Sequence, residues 1–198
     1  MRSRWSEVVN KIAPFFIYHY MENFIDKNVK IIGNCSIGKG TKILGNSVIE
    51  NSVIGDNVEI KDSYITESVI ENDVKVGPYA NLRKGTHILN GVKIGSFVEI
   101  KNSTIGKYSK VPHLSYVGDA DIGERVNVGC GVIFANYDGK VKRRSKIGND
   151  VFIGCNVNIV APVSVADRTY ICAGTTVTKN TEEGDFVIGR VRQENKKR

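Results

Sequence analysis

The chain has 198 residues, of which 41% are hydrophobic, enough for one domain with a continuous core. Its formal charge of +7 suits an anionic partner, either a phosphorylated small molecule or a nucleic acid, or reflects only a soluble surface. Because most lysines are spread singly, we expect no nucleic acid partner. Ile, Val, Gly, Asn and Lys are abundant while Leu, Phe, Met and Trp are scarce, which favours strands and turns over helices.

The cysteine pattern and the N-terminus bear on the cellular location. No pair among the four cysteines has Cys-x-x-Cys spacing, so neither a zinc site nor a disulfide framework is indicated. The first apolar stretch is interrupted by Glu7 and Lys11, and no small-residue cleavage site follows. We therefore expect a cytoplasmic protein with reduced thiols and no membrane partner.

Residues 1–24 are predicted to form a short N-terminal helix. Apolar residues recur at helical spacing from Trp5 to Phe16, Ser3 can cap the helix, and Pro14 would kink or end it. Two interpretations stay open. The segment either covers the open first coil of a solenoid or is the remnant of a linker to another domain.

Residues 25–187 repeat an apolar residue every six positions, occasionally every five. A second small or β-branched residue often stands two positions earlier, as in Val58-Glu59-Ile60, so both side chains point inward. Glycine often follows the repeated apolar residue, and we expect it to permit a backbone turn that a residue with a Cβ resists. This spacing predicts an all-β fold, a hexapeptide-repeat parallel β-helix of about nine triangular coils. A basic tail, residues 188–198, follows.

One corner of the predicted prism carries two cations. Three repeat steps return the chain to the same face, about 4.8 Å further along the axis. Arg83 and Lys101 are three steps apart at a corner position where glycine is usual, and Gly118, next in their column, should leave an open space. The arrangement predicts a phosphate clamp, and two solvated corner residues are the alternative.

A second corner carries a histidine. If the loop 135–146 replaces a corner without adding a coil, four residues share one column, here called the His113 column. They are His113, Cys130, Cys155 and Ala173. Its small side chains should leave main-chain amides and carbonyls open to an elongated ligand. The adjacent loop 136–144 is the densest basic cluster before the tail and suits a pyrophosphate or a 3′-phosphate, unless it is only a solvated loop.

His113 itself has two interpretations, a general base for acyl transfer or a hydrogen-bonded structural residue. A zinc-dependent β-helix enzyme needs three converging imidazoles. Since His19 and His87 do not share the column of His113, we expect no metal site.

Six longer stretches go beyond the generic repeat. They read VGPYANLR at 76–83, GSFVEIKN at 95–102, VPHLSYVGDA at 111–120, NYDG at 136–139, AGTTVT at 173–178 and GRVRQ at 189–193. Together they resemble the acetyltransferase domain of the bacterial bifunctional N-acetylglucosamine-1-phosphate uridyltransferase/glucosamine-1-phosphate N-acetyltransferase, over about residues 20–195. The resemblance implies a left-handed β-helix and direct transfer from acetyl-CoA to glucosamine 1-phosphate, in the synthesis of UDP-N-acetylglucosamine for cell-wall peptidoglycan.

The same resemblance assigns roles to individual residues. His113 would take a proton from the attacking amine, and the Cys130 amide would donate to the tetrahedral oxyanion. The residues implied for the sugar phosphate are Arg83, Lys101, Tyr116, Asn127 and Glu99, the last of which could instead steady the imidazole. Those implied for acetyl-CoA are Cys130, Asn136, Tyr137, Cys155, Ala173 and Arg190.

Some features depart from that family. The nucleotidyl domain with its glycine-rich loop has no counterpart in these 198 residues, so we expect neither uridyltransferase activity nor its magnesium. Pro112, Lys84 and Ser115 replace the residues usual at their positions, which leaves the acceptor open. The alternatives are another amino sugar, a nucleotide-linked amino sugar as acceptor, or a non-catalytic trimeric scaffold.

Geometry also bears on assembly. Adjacent corners are up to about 18 Å apart, further than a hexosamine phosphate reaches. We therefore expect a homotrimer with active sites between subunits, and an activity that falls in acid because a general base must be neutral.

Overall fold

The computed structural model describes residues 22–196, so the helix predicted from Trp5 to about Tyr20 lies outside the described residues. The described chain forms 27 strands of two to four residues. They pair in parallel in three sheets of ten, nine and eight strands, as the repeat predicts. No helix with the length and apolar character needed to cross a bilayer occurs in residues 22–196.

The strands are numbered in chain order and assigned to sheets A, B and C. Sheet A contains β1 (Phe24–Ile25), β4 (Lys42–Leu44), β7 (Glu59–Lys61), β10 (Lys75–Val76), β13 (Lys93–Ser96), β16 (Lys110–His113), β19 (Asn127–Val128), β22 (Phe152–Ile153), β25 (Tyr170–Ile171) and β27 (Phe186–Val187). Sheet B contains β2 (Lys30–Ile32), β5 (Val48–Glu50), β8 (Tyr64–Thr66), β11 (Asn81–Leu82), β14 (Glu99–Lys101), β17 (Tyr116–Gly118), β20 (Ile133–Ala135), β23 (Asn158–Val160) and β26 (Thr176–Val177). Sheet C contains β3 (Ser36–Ile37), β6 (Val53–Ile54), β9 (Val69–Ile70), β12 (His87–Ile88), β15 (Thr104–Ile105), β18 (Ala120–Ile122), β21 (Ser145–Ile147) and β24 (Ser164–Val165).

The core is a ladder of β-branched side chains that point into the prism from all three sheets. Ile60, Ile100 and Val117 are fully buried, as is the second inward position at Val58. Burying one such side chain contributes about 1.5–3 kcal/mol. Because a shift of one residue would turn this whole set outward, the ladder fixes the register of every coil.

The register confirms two counts made from the sequence. Leu82 pairs with Ile100, which places Arg83 beside Lys101, and Lys101 pairs with Gly118. Ala120 pairs with Ser145 across the loop 135–146, so the loop adds no coil.

The corner glycines have a different role from the one expected. Gly106 and Gly154 do not have a positive φ, so no left-handed turn requires them. Instead, a Cβ at Gly106 would lie 2.8 Å from Glu124 N, and one at Gly154 would lie 2.8 Å from Ile171 O. These glycines are needed because successive coils stack too closely for a side chain. The prediction that these glycines are needed for a backbone turn was therefore wrong.

This close stacking predicts that Gly106→Ala lowers the free energy of unfolding by about 1–3 kcal/mol, the usual effect of overpacking. Gly189→Ala is the matched control, since the nearest atom to its Cβ would be a movable methyl group, Thr175 Cγ2, at 3.2 Å. Urea denaturation followed by circular dichroism measures both. Equal midpoints for Gly106→Ala and the parent chain would contradict the stacking argument.

Candidate functional site

The two stacked cations are joined by a third from the loop. The Lys142 side chain contacts Lys101 and lowers its pKa through that contact and its charge, and slight burial and the charge of Arg83 lower it further. The Asp119 carboxylate opposes this shift. Arg83, Lys101 and Lys142, called here the cation cluster, thus hold like charges together, an arrangement that a bound anion would relieve.

The open space expected over Gly118 is filled. A Cβ at Gly118 would lie 2.7 Å from Tyr116 Cζ and 2.8 Å from Asn136 Nδ2. The absent side chain therefore admits a phenol and a carboxamide to the edge of the cation cluster. The prediction of an open space was wrong. The repeat spacing gives the column in which a residue lies, but it does not give the direction in which the neighbouring side chains of Tyr116 and Asn136 extend.

Asp119 anchors the loop next to the cation cluster. It is buried, and its two carboxylate oxygens accept hydrogen bonds from Asn102 and Asn136. Burial alone would raise the pKa of Asp119, but these two bonds and the charges of Lys101 and Lys142 outweigh it and hold the pKa below its usual range. Asp119 therefore stays ionised and fixes Asn136. The role of Asp119 was not predicted from the sequence. The signal that could have indicated it is a carboxylate between two small residues, Gly118 and Ala120, where a buried position is expected.

The basic loop is folded rather than freely solvated. Tyr137 and Lys142 form an antiparallel bridge, and Arg143 N donates to Asn136 O at 2.8 Å. Asp138 Oδ1 accepts from two loop amides at 2.7 and 2.8 Å, which lowers the pKa of Asp138. At its base, Arg144 makes two hydrogen bonds of 2.9 Å to Asp121. These contacts hold Lys142 over Lys101. The loop therefore lies at the cation corner, and the expectation that it lies beside the His113 column was wrong, because it leaves the chain at the end of sheet B.

His113 lies at the corner between sheets A and B. It ends β16, pairs with Ser96 and is exposed, and its imidazole has no hydrogen-bond partner among residues 22–196. By contrast, His87 lies in sheet C, where its Nε2 is 3.0 Å from Glu71 Oε1. His19 falls outside the described residues. No group of three His, Cys, Asp or Glu side chains in the described part of the chain is placed to hold a metal ion.

The His113 column continues upward in the expected register. Asn156 N donates to Cys130 O, and Gly174 N donates to Cys155 O, both at 2.8 Å. Arg190 Nη1 donates to Ala173 O at 2.9 Å. The carbonyls are therefore occupied, and the expectation that they are open was wrong.

The amides of the column are the free groups. Within residues 22–196, Cys130 N, Cys155 N and Ala173 N donate to no acceptor. At the corner that follows sheet C the equivalent amides are capped by side chains of the next coil; Asp56 N, for example, donates to Asn72 Oδ1 at 2.8 Å. Because small residues replace such caps in the His113 column, a row of main-chain donors faces outward.

The remaining predicted site residues divide between two faces. Glu99 pairs with Tyr116 on the outer face of sheet B, between the cation cluster and the His113 corner, and Glu99 Oε1 accepts from Arg83 Nη1 at 2.7 Å. Asn127 lies on sheet A, beyond the His113 corner, so one chain does not bring it to the cation cluster. Tyr137 is exposed, and its hydroxyl donates to Gly139 O at 2.7 Å.

Known proteins share both the repeat and the sequence. The family model described as "Bacterial transferase hexapeptide (six repeats)" matches residues 67–102 and 144–179. The Bifunctional protein GlmU of Listeria welshimeri is 50% identical over 175 residues, which are 88% of this chain and 38% of that protein. The GlmU of Clostridium acetobutylicum is 52% identical over 161 residues, 81% of this chain and 35% of that protein. The chain thus spans less than half the length of these relatives.

Solved structures share the fold. The UDP-N-acetylglucosamine O-acyltransferase LpxA from Moraxella catarrhalis has a TM-score of 0.53 at 18% identity, covering 80% of this chain and 66% of that one. LpxA from Bacteroides fragilis has the same TM-score and coverages at 20% identity. Taken with the parallel solenoid and the identity to GlmU, these matches show that the chain is a left-handed β-helix that belongs to the bacterial transferase hexapeptide family.

Proposed function

We propose that this chain transfers the acetyl group of acetyl-CoA to the 2-amino group of glucosamine 1-phosphate. The product, N-acetylglucosamine 1-phosphate, would serve UDP-N-acetylglucosamine synthesis. The observation that carries the proposal is the cation cluster, which lies one corner away from the exposed imidazole of His113, so that the cation cluster of one subunit and the imidazole of a neighbouring subunit would form one site. The identity to GlmU proteins over most of the chain favours this acceptor over other amino sugars.

The acceptor binds through its phosphate. Arg83, Lys101 and Lys142 place three cations at one corner, where they can share the oxygens of one phosphate in charge-assisted hydrogen bonds. Tyr116, whose ring lies over Gly118, then contacts the sugar beside the phosphate. Glu99 is already paired with Arg83, and it positions that guanidinium in addition to any contact with the amine.

The donor lies along the His113 column. The free amides of Cys130, Cys155 and Ala173 suit the amide carbonyls of an extended pantetheine arm, and Arg190 stands at the far end of the row. Asn136 and Tyr137, which the resemblance implies for acetyl-CoA, stand at the cation corner instead, so one chain does not bring them to this row. Cys130 N, one coil above His113, donates to the oxyanion that forms when the thioester carbonyl is attacked.

The reaction is direct. His113 accepts a proton from the attacking amine as nitrogen bonds to the thioester carbon. The tetrahedral intermediate collapses with cleavage of the carbon–sulfur bond, and the imidazolium protonates the departing thiolate of CoA. No serine or cysteine nucleophile is required, and the step uses no metal.

We further propose a homotrimer with active sites between subunits. The same corner presents Leu114 beside His113 and Phe97 and Tyr79 in the two coils below, with exposed fractions of 59%, 63% and 58%. Their φ angles of 41°, 58° and 60° lie in the left-handed region, unfavourable for such side chains. A second copy of the chain packed on this apolar edge would bury these side chains and bring Asn127, on sheet A, toward a neighbouring cation cluster.

The phosphate clamp predicts the effect of Lys142→Gln. The KM for glucosamine 1-phosphate should rise about 10- to 100-fold, the equivalent of one charge-assisted hydrogen bond, while the weaker activity on glucosamine stays unchanged. Release of free CoA thiol measures both. Lys140→Gln, in the same loop, is the matched control and should leave both values unaltered. Equal activity of the parent chain on the two sugars would reject glucosamine 1-phosphate as the preferred acceptor.

The apolar edge predicts that Phe97→Asp separates the subunits and abolishes transfer. Light scattering during size-exclusion chromatography should give the mass of one chain for this variant and of three for the parent. Tyr108→Asp is the control, because Tyr108 is 61% exposed with a φ of 59° but lies at the corner after sheet C. A Phe97→Asp variant that remains an active trimer would overturn the assembly.

A further inference from the structure

Two cysteines stand next to each other in the His113 column. Asn127 pairs with Phe152 and Val128 with Ile153, and the same register continues to Cys130 and Cys155. The hydrogen bond from Asn156 N to Cys130 O confirms that this register holds at the corner itself. In-register residues of neighbouring parallel strands are about 4.8 Å apart, within the range of about 4.4–6.8 Å for the Cα atoms of a disulfide.

The corner around this pair is tightly stacked. A Cβ at Gly129 would lie 2.6 Å from Gly154 C and 2.7 Å from Cys155 N. Gly129 and Gly154, which precede the two cysteines, carry no side chain and allow the two coils to lie at this close spacing. A disulfide between the two cysteines can therefore form at the existing separation of the coils, without a shift of register.

The other two cysteines are placed differently. Cys35 lies at another corner, where its thiol donates to Ile32 O at 3.3 Å, and Cys172 is buried. Cys155 is exposed and Cys130 is half-buried, and all four thiols are free. Cys155 is thus the thiol that a reagent in solution meets first, with Cys130 directly below it.

We propose that Cys130 and Cys155 are a redox-active pair that closes to an intramolecular disulfide and so blocks the row of free amides in the His113 column. The Cys155 thiolate attacks a low-molecular-weight disulfide, forms a mixed disulfide and releases one small thiolate. The Cys130 thiolate then attacks the Cys155 sulfur, forms the disulfide and releases the second small thiolate. Two electrons pass to the small disulfide, and the two thiol protons end on its two products.

The position of this disulfide determines its effect on the binding of the acyl donor. The free amides of Cys130 and Cys155 are the donors assigned to the acyl donor, so the regulatory half of this inference rests on the proposed function. A bridge between the two side chains lies over these amides and displaces the thioester end of acetyl-CoA. Acetyl-CoA bound first covers both thiols and slows their oxidation.

The test treats the full chain with glutathione disulfide and maps its thiols by peptide mass spectrometry. We expect two thiols lost per chain and one cross-linked peptide pair that contains Cys130 and Cys155. Cys35→Ala should give the same cross-link, and Cys155→Ala should not. Glutathione on Cys155 without a cross-link, or a cross-link that involves Cys35, would overturn the pair.

Activity is read separately from the cross-link. The transfer rate of the oxidised chain should fall at least about tenfold, as expected when an oxyanion donor is obstructed, and should return on reduction with dithiothreitol. A cross-linked chain with an unchanged rate would overturn the regulatory half. A reduced chain without acetyl transfer would instead reject the proposed function, while the cross-link would still report on the pair.

Discussion

The stacking of coils at the spacing of a parallel sheet is the constraint on which the molecule depends. Inward Ile and Val side chains fix the register, and corner glycines such as Gly154 allow coils to approach until their backbones touch. Since each coil repeats the last, residues far apart in sequence become columns with a fixed spacing. The cation corner and the His113 column are both products of this register, and neither requires a cavity.

The functional groups of both columns come from places where the chain departs from the regular repeat. At the corner after sheet C, side chains such as Asn72 and Asp167 cap the amides of the coil below. In the His113 column the caps are missing, and amides face outward. The loop 135–146 interrupts the repeat without disturbing it, because Asp119 holds Asn136 from below. Lys142 thereby joins two cations that belong to regular coils.

The sequence predicted the features that depend only on the spacing of the repeats. The three-sheet solenoid, the stacking of Arg83 on Lys101 and the coil count across the loop are all confirmed, since register depends on spacing alone. The sequence did not predict the direction in which side chains extend or the conformation of the loop. For this reason the space over Gly118 was taken as empty, and Lys142 was not separated from its basic neighbours. The site roles and the trimer stay predictions.

The central claim is that His113 is the general base of an acetyl transfer, and the rate of CoA release by His113→Ala tests it most directly. The account predicts a kcat lower by about 10²- to 10⁴-fold, with unchanged affinity for acetyl-CoA and unchanged mass in solution. His87→Ala, which removes a histidine paired with Glu71 on sheet C, should keep the parent rate. A folded His113→Ala variant that transfers acetyl groups at the full rate would contradict the account.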